Sequence, residues 1–217
     1  NRASLDTYGD VVFVHDPQPI TLVEKRRDNK WGWRCHVDVS NPHREVWEFL
    51  RQYIVRYDAA VFSAPAFAQS LPIRQFLISP SIDPLSDKNR PLPPETVDAV
   101  MDKYAVPRDK PIVTQISRFD RLKDPVGVIA AYKKVKRYND CRLVLAGGTA
   151  SDDPEGAQVL EEVRAAAGDD PDIHILLLPQ NDIEINALQS ASTVILQKSL
   201  KEGFGLTVAE ALWKAKP

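Results

Sequence analysis

Short runs of β-branched and apolar residues alternate along the chain with longer amphipathic stretches, the pattern of strands joined by crossover helices. Val11–Val14 is a compact apolar run closed by His15-Asp16-Pro17-Gln18-Pro19, which predicts a buried parallel strand ending in a loop. Arg34–Val39 predicts a second strand, closed by the turn Ser40-Asn41-Pro42. Val46, Trp47, Phe49, Leu50, Tyr53 and Ile54 recur at helical spacing and predict an amphipathic helix over 43–56. Ala59–Ser63 and Gln75–Ile78 predict two more strands. Asp87–Glu95 is polar and carries Pro91, Pro93 and Pro94, the composition of an interdomain linker. Beyond it the spacing predicts strands over Pro111–Ile116, Cys141–Ala146, Ile173–Leu178 and Thr193–Gln197. Helices are predicted over Asp124–Tyr138, Glu155–Ala167 and Ile183–Ser190, and a last loop and helix over Glu202–Lys214. Parallel strands need a crossover between neighbours, so this order predicts an α/β fold of two Rossmann-like, doubly wound domains. Residues 1–90 form the first and 91–217 the second, and a ligand is expected in the cleft at the carboxyl ends of the strands.

Composition removes several function classes. A formal net charge of −2 with no clustered basic surplus argues against a nucleic-acid partner, because phosphates are neutralised by such surpluses. The one basic run, Glu24–Lys30, mixes both signs and reads as a solvated loop. Cys35 and Cys141 are far apart and suggest two free thiols in a reducing cytoplasm, neither a disulfide framework nor a Cys metal site. No run approaches the roughly 18 apolar residues of a membrane helix, and the N-terminus lacks the regions of a signal peptide, so a cytoplasmic protein with no membrane partner is expected. The chain opens on Asn1-Arg2-Ala3 and stops at Lys216-Pro217 directly after an amphipathic segment, so a fragment of a longer protein, incomplete at both ends, is expected.

Two constellations could carry chemistry. Gly203-Phe204-Gly205 lies between a predicted strand and a predicted helix, where glycines let the backbone approach a ligand and the helix end favours an anion. A plain tight turn explains a Gly-x-Gly equally well. The flanking Glu202 and Glu210 strengthen the ligand reading, since ionised carboxylates accept hydrogen bonds from sugar hydroxyls; a solvated helix glutamate is the bland alternative for Glu210. The second constellation is Ser117–Pro125, just past a strand. Asp124 is placed to cap a helix that starts at Pro125, which puts Arg118 and Lys123 on the loop approaching its N-terminus. A planar fork and a point charge there could stabilise charge on a departing phosphate, or belong to a surface loop. Asp152-Asp153, beside Ser151 and Pro154, reads as a turn and helix start rather than a metal pair.

Glu202-Gly203-Phe204-Gly205-Leu206-Thr207-Val208-Ala209-Glu210-Ala211 resembles the E-x7-E signature of the retaining glycosyltransferases of GT-B fold, glycosyltransferase group 1 (family 4), and the Arg118 and Lys123 loop belongs to the same likeness. Within that family the chain is most similar to the trehalose-forming synthases. Their segments resemble His15–Pro19, Trp33–Asp38, Pro80–Leu85 and Thr114–Asp120, spread over nearly the whole chain. It departs from the family at its ends: the glycine-rich loop expected early in the first domain is absent, as is the strand and loop that should follow Pro217. The resemblance implies a GT-B fold and transfer of glucose from a UDP- or ADP-glucose donor to glucose, giving trehalose by a front-side mechanism. It implies that Arg118 and Lys123 hold the diphosphate, Glu210 the ribose hydroxyls and Glu202 the donor hexose. The amides of Gly203, Phe204, Gly205 and Leu206 would complete the cradle. His36 would lie beside the transferred sugar, and His15, Asp16, Gln18 and Asp38 would line the acceptor side. The catalytic group is then Glu202, His36, Arg118 and Lys123. No metal and no other cofactor is implied, the nucleotide sugar being a substrate. The partners are that donor and the acceptor sugar; a homodimer is compatible, with oligomeric state left open. A trehalose phosphorylase of the same fold and a non-catalytic nucleotide-binding fragment stand as alternatives. Base preference is expected to depend on contacts around Leu177, Leu178 and Pro179.

Overall fold

The computed structural model describes residues 9–148, 154–179 and 181–217. The chain divides into two compact units, residues 1–80 with 202–204, and residues 81–201 with 205–217. The described residues hold six α-helices and eight strands, and no helix among them is long and apolar enough to cross a membrane.

In the first unit β1 (Val11–His15), β2 (Lys30–Cys35), β3 (Ala59–Phe62) and β4 (Arg74–Leu77) form one parallel sheet in sequential order. A 3-10 helix (Ile20–Lys25) joins β1 to β2, and α1 (Arg44–Ile54) joins β2 to β3. On β2 the alternation places Trp31, Trp33 and Cys35 in the core with Val14, Ile54, Ala60 and Phe62. Cβ positions on a strand alternate faces, so Gly32 and Arg34 fall on the opposite one. A Cβ at Gly32 would strike the Phe13 ring at 2.5 Å. The strand therefore lies four residues earlier than the Arg34–Val39 expectation. Its start overlaps the basic run read as loop: Lys30 begins β2, and Arg26 is tied to Asp58 at 2.8 Å. Beyond Cys35 the chain leaves the ladder because the His36 amide donates to the Asp16 carboxylate, at 2.9 Å, rather than to a neighbouring strand.

In the second unit β5 (Ile112–Ile116), β6 (Arg142–Gly147), β7 (Ile173–Leu177) and β8 (Val194–Ile195) form a parallel sheet in the order β7-β6-β5-β8. Every residue of β6 is buried, and period two divides them. Val144 and Ala146 pack with α2 (Pro94–Lys103) and α5 (Asp182–Ala191), while Leu143 and Leu145 pack with α3 (Pro125–Val135) and α4 (Pro154–Ala167). Both faces of the sheet are covered, as a doubly wound sheet requires. Helix α2 was not expected: Pro94 lies in its first turn, where a missing N–H costs nothing, so a stretch that reads as linker opens a helix. Strand β8 is two residues long, shorter than the Thr193–Gln197 expectation, and α6 (Leu206–Trp213) closes the chain.

Candidate functional site

In the second unit the chain runs β5, β6, β7 outwards and then returns to the other side of β5 as β8. Where strand order reverses, the loops at the carboxyl ends diverge and leave a crevice. A cavity of about 600 Å³ opens there. Ile116, Ser117 and Arg118 line it at the end of β5, Gly147 and Gly148 at the end of β6, Leu178 and Pro179 beyond β7, and Thr207 and Glu210 on α6, with Lys88 and Ile185 completing the wall. Leu177 is exposed and lies outside this wall.

Glu210 is only 3% exposed, and its carboxylate is compensated on both oxygens. Lys88 Nζ lies 2.8 Å from Oε1, and Gln189 Nε2 donates to Oε2 at 2.8 Å. A buried carboxylate without such partners would be driven towards its neutral form.

The loop after β5 is held at successive points. Asp120 accepts from the Leu122 amide at 2.7 Å, capping the 3-10 turn Arg121–Lys123, and its other oxygen pairs with Arg118. Gln115, buried on β5, donates to the Lys123 carbonyl at 2.7 Å, and the Leu200 amide donates to the Leu122 carbonyl at 2.8 Å. Asp124 caps α3 as expected, accepting from the Gly127 amide at 3.0 Å, with Pro125 opening the helix. It does so with φ at 48°, in the left-handed region, and its carboxylate is paired with Lys198. The structure thus brings Arg118 to the cavity wall; Lys123 sits in the capped turn and is not among the lining residues.

Glu202, Gly203 and Phe204 group by their contacts with the first unit. Within that grouping a Cβ on Gly203 would fall 1.9 Å from the His36 carbonyl oxygen, so only glycine fits. The Gly203 amide donates to the Glu202 carboxylate at 3.2 Å. Gly205 stands at the N-cap of α6 with φ at 84°, the conformation that glycine adopts without strain, and Leu206 begins the helix.

In the first unit His15 Nδ1 and His36 Nε2 lie 2.8 Å apart, their rings stacked at 5.2 Å between centroids. Burial lowers the His36 pKa, and nearby Asp16 opposes the shift. Asp16, with φ at 69°, donates its amide to the Arg34 carbonyl at 2.7 Å and accepts the His36 amide and the Trp33 indole N–H. Asp16 therefore fastens the end of β1 to the end of β2 and sets where His36 stands. Gln18 is exposed on the following loop, and Asp38 accepts from both the amide and the hydroxyl of Ser40. Cys35 and Cys141 are free and buried, and burial pushes the Cys35 thiol up to about 11.

Among the described residues no group of three or more His, Cys, Asp or Glu is arranged to hold a metal ion; Asp152 and Asp153 lie outside the described residues. Lys88, Gly147, Gly148 and Gln189 had not been singled out. The Gly147-Gly148 pair directly after a strand was the signal available; nothing local marks Lys88 or Gln189.

Residues 97–217, more than half of the chain, match the family model described as "Glycosyl transferases group 1", and residues 1–69 match that described as "Trehalose synthase, N-terminal domain". The chain is 45% identical to a trehalose synthase of Pyrococcus horikoshii, over 96% of this chain and 52% of that protein. It is 29% identical to a trehalose phosphorylase of Pleurotus pulmonarius, over 96% of this chain and 34% of that protein. Among solved structures, a sucrose-phosphate synthase from Thermosynechococcus elongatus superposes with a TM-score of 0.76 at 16% identity, covering 96% of this chain and 55% of that one. That likeness shows the α/β fold, of GT-B type. The chain spans about half the length of the trehalose synthase it matches.

Proposed function

The chain belongs to the group 1 glycosyl transferases, and on that premise we propose that it forms part of a retaining hexosyltransferase that moves glucose from a nucleoside diphosphate glucose to glucose, giving trehalose. The observation that carries the reading is the cavity at the carboxyl ends of β5–β7, where Arg118, Glu210 and the Gly147-Gly148 backbone share one wall. A guanidinium suits a diphosphate, a compensated buried carboxylate suits vicinal hydroxyls, and Leu178 and Pro179 supply an apolar surface for a base.

In this mechanism the acceptor hydroxyl oxygen bonds to the anomeric carbon on the face from which the diphosphate leaves. The carbon–oxygen bond to phosphate breaks, and the hydroxyl proton passes to the departing phosphate oxygen. Arg118, on the cavity wall, stabilises the charge on that oxygen, Lys123 is assigned to the diphosphate by the family likeness alone, and Glu210 holds the ribose. Glu202 and the amides of Gly203–Leu206 hold the hexose. The family likeness assigns His36 to the transferred sugar and His15, Asp16, Gln18 and Asp38 to the acceptor. Positioning and charge supply the rate, with no enzymic nucleophile. Buried free thiols support a cytoplasmic site of action.

The likeness to trehalose phosphorylase motivates the second reading, in which inorganic phosphate replaces the nucleotide. Calorimetric titration with UDP-glucose, ADP-glucose and inorganic phosphate separates the two. Saturable nucleotide-sugar binding that weakens in Arg118→Ala supports the transferase; binding of phosphate and trehalose without any nucleotide sugar supports the phosphorylase and overturns the first.

A further inference from the structure

Three charged side chains among the described residues line the cavity: Lys88, Arg118 and Glu210. Glu210 is the buried one, and a carboxylate held in such a wall repels any anion that enters. Lys88 Nζ lies 2.8 Å from its Oε1 while the Lys88 side chain remains one-third exposed, so the ammonium is shared between the wall and the open cavity.

Lys88 does not reach this place by chance of a flexible arm. Its backbone belongs to a buckle, residues 83–90, closed on itself and bolted to two helices. The Asn89 side chain donates to the Asp83 carbonyl at 3.0 Å, and its amide donates to the Ser86 carbonyl at 2.9 Å. From α5, Asn186 donates to the Asp87 and Arg90 carbonyls at 2.9 and 2.8 Å. Trp213 at the end of α6 donates to the Asn89 carbonyl, and Lys214, just beyond, donates to the Lys88 carbonyl at 2.9 Å. The Lys214 ammonium is engaged with the buckle and acts on Glu210 only through its field, while Lys88 makes the direct ion pair.

We infer that Lys88 is a ligand-selecting residue of this cavity: by neutralising the buried Glu210 carboxylate it lets the pocket accept a nucleoside carrying a diphosphate, and without it the pocket discriminates against the phosphates. This rests on the nucleotide reading above and adds a residue and an electrostatic role to it. With Lys88 the charged lining sums to +1; without it the sum is zero, and the buried carboxylate loses its 2.8 Å ion pair and keeps only the Gln189 hydrogen bond and the field of Lys214. The loss falls on anionic ligands and spares the uncharged nucleoside.

Calorimetric titration of the full chain tests this with ADP and UDP against adenosine and uridine, for the wild type, Lys88→Met, Lys88→Arg and Lys88→Met/Glu210→Gln. Lys88→Met is expected to weaken diphosphate binding by at least about tenfold, with nucleoside binding changed far less. Lys88→Arg is expected to keep most of the affinity; Glu210→Gln removes a ribose contact shared by nucleoside and diphosphate, so the double variant is expected to restore the ratio of diphosphate to nucleoside affinity relative to Lys88→Met alone. An equal loss for nucleoside and diphosphate in Lys88→Met, or a double variant whose diphosphate-to-nucleoside ratio is no better than that of Lys88→Met, overturns the inference. A wild type that binds no nucleoside diphosphate overturns the nucleotide reading itself, a distinct result. Circular dichroism checks folding, and if Lys88→Met unfolds, the Lys88→Gln variant carries the same comparison.

Discussion

A Cβ placed on Gly147 would lie 1.7 Å from the carbonyl oxygen of Ser117, a backbone atom that cannot turn aside. The Ser117 amide donates to the Ala146 carbonyl and the Leu178 amide to the Gly147 carbonyl, so the ends of β5, β6 and β7 and the cavity wall share one ladder. Gly147→Ala is expected to destabilise the protein by roughly 2 kcal/mol or more through forced displacement of β5 from β6. At Gly148 a Cβ would meet only the Leu178 carbonyl at 3.7 Å, an ordinary contact, so Gly148→Ala is expected to be tolerated. Thermal unfolding of the two variants side by side checks the pair.

Asp124 caps α3 from a left-handed backbone conformation while its carboxylate engages Lys198. Asp124→Ala removes the cap and keeps the strained φ, and is expected to cost about 1–2 kcal/mol. Asp124→Gly also loses the cap but relieves the backbone, so it is expected to be the milder change, within about 1 kcal/mol of wild type. Urea unfolding ranks them; an equal or larger loss for glycine would show that the backbone conformation carries no strain.

Burial lowers the pKa of both His36 and His174 below 6.5. The unfolded chain therefore binds protons before the folded one as pH falls, and stability declines from about 6.5 down through the folded pKa values. Replacing His36 by Gln is expected to shrink that decline, and replacing both to shrink it further. Unfolding free energy measured across this range checks the sign.

Asp172 gathers Lys136 at 2.9 Å, Lys110 at 3.2 Å and Arg142 at 3.4 Å at the start of β7. The Lys136 hydrogen bond, reinforced by Lys110, holds its carboxyl below the usual range. Its stabilising contribution is complete above the unfolded value near 3.8 and is lost as pH falls through the folded one. Asp172→Asn is expected to cost roughly 3 kcal/mol near neutral pH by leaving three cations short of their partner, and to flatten acid unfolding below pH 4. A variant as stable as wild type would show that Asp140, Asp170 and Asp109 suffice.

Much of this architecture was legible before the structure because buried parallel strands have few alternatives in sequence. Ala59–Phe62 and Cys141–Ala146 are short and largely apolar, and period and length suffice to read them; Val11–Val14 is a strand as read, but only Val14 is buried, with Val11 and Phe13 exposed, so the expectation of a buried strand fails there. β2 slipped by four residues because its core residues are tryptophans separated by a glycine and bordered by a charge run, while the buried Arg34 looked like a strand start. Helix α2 was hidden by prolines that serve equally as linker and as helix opening. The site divides the same way. Arg118 and Glu210 belong to local motifs and could be named. Lys88 and Gln189 converge on Glu210 from 122 and 21 residues away through tertiary packing, which a single sequence does not encode locally.

The central claim is glycosyl transfer, and the most direct measurement is nuclear magnetic resonance of the products formed from UDP-glucose or ADP-glucose with free glucose, compared with Glu210→Gln. The account expects an α,α-linked disaccharide to appear together with free nucleoside diphosphate, both strongly reduced in the variant. No disaccharide from any nucleotide sugar, or equal product from the variant, would contradict it.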